Sequence, residues 1–267
     1  MNNTDKILKL AFEFEKLVFA AERIDTTDSR YEQFMQTMEN FGKISDIFQS
    51  RFKEKLSSKF LNKKIVTGKY KFTISSSDIS DLYKIEVPDI IVEIRSEKTS
   101  DKNAYNIIGN RSGNQISIIF NISSELILSQ DNIHFFSERA NKVFRHELQH
   151  FEQNISNKFQ NRFHISDVKD IDDPNTLLAY YISEHEIDAH VASSVEEAIK
   201  KSFLKLKEDK NHDFDVIDIK EIFDPKIEMI KQKLKGRLDP EKIDILVDTI
   251  YKKWFDWYIK NYPVKSI

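Results

Sequence analysis

Hydrophobic and polar positions along the chain change period twice. Residues 4 to about 60 set Phe and Leu among Lys and Glu at helical spacing, which predicts two or three helices. From Lys64 to about Leu128 the period shortens. Tyr70-Lys71-Phe72-Thr73-Ile74 alternates, Ile85 to Ile94 is rich in β-branched residues around Pro88, and Gln115 to Asn121 reads as a strand. Asn110-Arg111-Ser112-Gly113-Asn114 has turn chemistry and could close a hairpin with Tyr105 to Ile108. Beyond Ser137 the helical period returns. Asp173-Pro174, Asp224-Pro225 and Asp239-Pro240 mark connections and helix starts. The last opens a helix from Pro240 to about Asn261 with Ile243, Leu246, Ile250, Trp254 and Tyr258 on it. The expected class is α+β, predominantly α, with a small β-sheet ahead of a helix from Ser137 to about Ile155 and helices at both ends.

That helix carries the chemistry. Ala140, Phe144, Leu148, Phe151 and Ile155 fall on one stripe at about 100° per residue. Ser137 suits its N-cap and Glu138 its positive end. His146, Glu147 and His150 fall off the stripe on an adjoining face, as His146-Glu147-Leu148-Gln149-His150. Side chains four apart on a helix stack, so His146 and His150 can offer two imidazoles to one metal ion. Glu147 can then reach a water held in the ion's open position, the arrangement of zinc-dependent peptide hydrolysis. A solvated face that happens to hold two histidines is the bland alternative.

A third ligand is required. In Tyr180-Tyr181-Ile182-Ser183-Glu184-His185-Glu186-Ile187-Asp188-Ala189-His190, residues Glu186, Ala189, His190 and Ser193 share one face, away from the apolar stripe Ile187, Val191, Val195 and Ala198. Glu186 is therefore presented away from the buried side, over small neighbours that allow close approach of another helix. Ser183 with Glu186 also forms a capping box, which would use the carboxylate locally. Glu184, His185, Asp188, His190 and His164 are the other donors in range by type.

HELQH followed by EIDAH resembles the gluzincin branch of the zincin metallopeptidases, over roughly residues 105 to 200. The resemblance implies a zincin-like catalytic core, here 64–205, between an N-terminal helical region 1–63, packed on the core, and C-terminal helices 206–267. It implies one Zn²⁺ per chain held by His146, His150 and Glu186, with Glu147 as general base toward a metal-bound water. Two features depart from thermolysin-like members. Thirty-five residues separate His150 from Glu186, so a loop around Asp167 to Asn175 must be accommodated, and His190 stands where those enzymes carry an aspartate. The developing oxyanion needs a donor; Tyr180, Tyr181, His164 and His185 qualify by type. If Gln115 to Asn121 forms a sheet edge, an extended substrate could pair with it.

Composition narrows the setting. The 267 residues are 40% hydrophobic, enough for a sizeable core. With 41 basic and 44 acidic residues interspersed and a net charge of -3, no basic footprint points to nucleic acid. Cysteine is absent, which excludes disulfides and thiolate-bound zinc. Five glycines form no phosphate-binding loop. Charged residues interrupt the opening MNNTDKILKLAFEFEKLVFAAERI, and no apolar run approaches a membrane span, so a cytoplasmic protein without membrane partners is expected. The reading is a zinc metallopeptidase, an endopeptidase acting on a protein or peptide segment. The alternatives are a catalytically inactive zincin-like protein-interaction module and hydrolysis of a non-peptide amide.

Overall fold

The computed structural model describes residues 25, 27–83, 85–101, 103–112, 115–156, 173–208 and 219–263. Their order is α1 (Tyr31–Phe60), β1 (Gly68–Ile74), α2 (Ser77–Tyr83), β2 (Ile90–Glu97), β3 (Tyr105–Ser112), β4 (Gln115–Ser123), α3 (Gln130–Ile155), α4 (Pro174–Tyr181), α5 (Glu184–Glu208), α6 (Ile219–Leu234) and α7 (Pro240–Asn261). This is α+β, mainly α. Two compact units divide the chain, one of Glu39–Lys158 and one of Met1–Met38 with Phe159–Ile267. Their bounds differ from the sequence-based regions 1–63, 64–205 and 206–267.

The unit Glu39–Lys158 holds the sheet, in order β1-β2-β4-β3. β2 pairs antiparallel with β1 and parallel with β4, and β4 pairs antiparallel with β3. One face of the sheet is apolar by strict alternation: Ile90, Val92 and Ile94 on β2, and Ile116, Ile118, Phe120 and Ile122 on β4, are all buried. α1 covers it with Ile44, Phe48, Phe52 and Leu56, a repeat of four that lays one stripe along the helix. Phe48 stacks on Phe144 of α3 at 4.4 Å and Phe52 stacks on Phe120 of the sheet at 5.3 Å, joining the layers. On the opposite face Arg95 and Lys71 hold the Glu93 carboxyl below the usual carboxylate range.

Several sequence expectations change here. Gln115 to Asn121 is a strand, but β4 is interior and bonded on both sides; the edges are β1 and β3, and β3 is the one beside α3. The alternation from Gln115 to Asn121 could not distinguish these, because edge and centre share one period. Of the expected turn, Asn110 to Ser112 instead extend β3 in register with β4, and Gly113 and Asn114 lie outside the described residues. α3 begins at Gln130, not Ser137. Ser129 caps it, its side chain accepting from the Asn132 amide at 3.2 Å. Ser137 is fully buried inside the helix and Glu138 lies beyond its first turn. Along the predicted stripe Ala140, Phe144, Leu148 and Phe151 are buried, whereas Ile155 is exposed at the helix end.

In the other unit, Asp173 caps α4 by accepting from the Asn175 and Thr176 amides, with Pro174 in the first turn. Asp239-Pro240 opens α7 as expected, and its Ile243, Leu246, Ile250, Trp254 and Tyr258 are buried. Asp224-Pro225 does not start a helix, because Pro225 lies inside α6. Fully buried Phe223 meets Tyr251, Trp254 and Tyr258 edge-on and holds the turn before the proline helical, against the ring's local preference. Of the predicted N-terminal helices, α1 is the one among described residues. No described helix is long and apolar enough to cross a membrane.

Candidate metal centre

Each unit holds a set of donor side chains with its own geometry. On α3, His146, Glu147 and His150 are half-buried, while Leu148 between them is fully buried. The four-residue spacing brings His146 Nε2 and His150 Nε2 to 3.1 Å, with the rings edge to face at 4.6 Å between centroids. A tetrahedral zinc with bonds of 2.0–2.1 Å to two imidazoles would hold their nitrogens about 3.3 Å apart. The pair is thus spaced for one ion.

The orientation of His150 has a cause. Its Nδ1 lies 3.0 Å from Oε1 of Gln153, which is 2% exposed. An amide oxygen only accepts, so it takes the Nδ1 proton and fixes the tautomer with the lone pair on Nε2, facing His146. That is the outer partner a metal-ligating histidine needs. The sequence reading missed Gln153. The available signal was a polar residue three beyond the second histidine, on the helix's buried side.

β3 lies against the side of the helix that carries Glu147. Tyr105 of β3 meets Phe135 and Phe136 of α3 at 5.4 and 5.6 Å, and Gly109 lies directly against the Glu147 side chain. Among described residues, the other side of β3 pairs with no strand.

On α5, His185, Glu186, Asp188 and His190 are all buried, at 5–6% exposure. The sequence reading placed Glu186 and His190 on a face turned away from the core; the helix is instead covered on both faces from His185 to Ala192. Aromatic side chains provide the cover. The His190 ring packs against Tyr181, 5.8 Å away, and Trp254, 5.1 Å away. Glu186 Oε2 is 3.5 Å from His190 Nε2, and Oε1 is 3.6 Å from His185 Nε2. The Ser183 hydroxyl donates to the Tyr180 carbonyl at 2.6 Å, so it serves the preceding helix, while its own carbonyl accepts from Ile187. The carboxylate is turned toward the two histidines.

The junction of α4 and α5 is tied down through backbone groups. The Tyr181 carbonyl, one of the orphans at the end of α4, accepts from the Trp254 indole at 2.9 Å. Burial, and secondarily the Glu186 carboxylate, push the Tyr181 phenol up to about 12, so it stays protonated throughout the neutral range. Of the other residues named as oxyanion donors, Tyr180 is half-buried, His185 is buried, and His164 lies outside the described residues, as does the loop before Asp173. Exposed Glu184 faces solvent at the start of α5.

No family model matches the chain, and neither a curated protein nor a solved structure matches it.

Proposed function

We propose that the chain is a zinc-dependent metallopeptidase of the gluzincin-like zincin type, an endopeptidase cutting an extended protein segment. One observation carries this reading. Two imidazole nitrogens meet at 3.1 Å, one of them with its tautomer set by Gln153, beside a half-buried glutamate that a structural metal site would not need. His146 and His150 are the ligands from α3, and Glu186 is the third, from α5. His190, four residues on, is the rival donor. All are nitrogen or carboxylate donors, the set that suits zinc once thiolates are excluded.

When bound, such an ion acidifies water and polarises a carbonyl. The remaining steps belong to the protein. Glu147, half-buried beside its histidines, accepts the proton of the attacking water and passes it to the leaving amine. Gln153 keeps His150 Nδ1 protonated and Nε2 free to donate its lone pair. The outer side of β3, which pairs with no strand among the described residues, would receive an extended substrate, replacing the role first expected of Gln115 to Asn121.

The test is Glu147→Gln. Turnover of fluorophore-labelled casein should fall by about 10²–10⁴-fold with the metal content of the purified protein unchanged. Equal turnover removes Glu147 as base. Metal bound by the wild type with neither casein cleavage nor autolysis favours the inactive interaction module instead.

A further inference from the structure

β3 alternates, and its Tyr105, Ile107 and Gly109 share the face that carries Tyr105 against Phe135 and Phe136 of α3. Farther along that face, at Gly109, the strand and helix come closer than any side chain allows. A β-carbon placed on Gly109 would lie 2.8 Å from both Cγ and Cδ of Glu147, and nearer still to Oε1. Carbon atoms in contact sit about 3.5–4.0 Å apart. Gly109 is not in the left-handed region; the positive-φ glycines among described residues are Gly68 and Gly236. Its backbone is ordinary strand, opposite Ile118 in the ladder. Glycine weakens a strand interior, so its use here answers to space and not to conformation.

We propose that Gly109 is a positioning residue for Glu147: the bare α-carbon of the edge strand makes room for the carboxylate beside its two histidines, and any side chain there displaces it. The catalytic consequence rests on the peptidase reading above. Glu147 is half-buried and its side chain can rotate, so the collision is relieved by moving the carboxylate and not by opening the sheet. Stability is then nearly preserved while the base is misplaced.

Gly109→Ala separates the two effects. In its crystal structure Glu147 Cγ and the carboxylate should be rotated away from β3, with the β3–β4 ladder intact. With labelled casein, kcat should drop about a hundredfold, as an ångström-scale misplacement of a reacting group does, while KM and zinc content hold. A Gly109→Ala/Glu147→Ala chain, in which the collision is gone, should melt with Glu147→Ala alone. A carboxylate unmoved in the crystal overturns the inference, as does a displaced one with full kcat. Rotation of Glu147 in a protein whose wild type cleaves nothing upholds the steric role of Gly109 and removes the peptidase reading.

Discussion

His146, Glu147 and His150 are half-buried on one face of α3, whereas His185, Glu186, Asp188 and His190 are all buried on α5. The first set has Gln153 as an outer partner and lies beside β3, whose other side pairs with no strand among the described residues. The second is enclosed by Tyr181 and Trp254 and tied to the end of α4 through the indole hydrogen bond. A catalytic base and its substrate need access. A ligand carboxylate needs the reverse, a site where water competes little and the side chain cannot wander. The same residue types, histidine and glutamate, are thus used in two ways according to how much of the helix around them is covered.

The comparison breaks first at Glu186. Its replacement by Ala should abolish tight zinc binding in a competitive chelator titration, a larger loss than from Glu184→Ala, whose side chain is exposed. If His190→Ala costs more than Glu186→Ala, the buried imidazole is the third ligand and the carboxylate its partner.

A smaller effect is expected at Gln153. Gln153→Leu keeps the volume but removes the acceptor for His150 Nδ1. Zinc affinity should fall about 10- to 100-fold, with the fold retained by circular dichroism. Unchanged affinity would mean that the tautomer of His150 is fixed by something else.

The smallest concerns the buried set. Trp254→Phe leaves the Tyr181 carbonyl without its indole donor, and a buried acceptor so deprived costs about 1–3 kcal/mol. Denaturant unfolding should show that loss, while zinc affinity moves by less than it does in Gln153→Leu. A large change in affinity instead would show that the aromatic cover fixes the ligand directly.

Much of the fold was legible because period and punctuation are local. The alternation of Tyr70 to Ile74 and of Gln115 to Asn121, the stripe from Ala140 to Phe151, and the Asp-Pro starts at Pro174 and Pro240 all correspond to elements. So was the pairing of His146 with His150, since a helix places residues four apart on one face whatever surrounds it. Asp224-Pro225 failed because Phe223, buried among Tyr251, Trp254 and Tyr258, outweighs a local turn preference. Ser137 failed as a cap because an earlier serine, Ser129, does the capping and the helix runs through it.

What the sequence determined by itself is therefore the pairing of His146 with His150, which follows from chain geometry over a single helical turn. Only tertiary structure decided which strands are the edges, that Gly109 lies against Glu147, and that α5 is covered on both faces. Those facts depend on Ile118, Glu147, Tyr181 and Trp254 arriving from distant positions in the chain, and no local pattern encodes the space they leave.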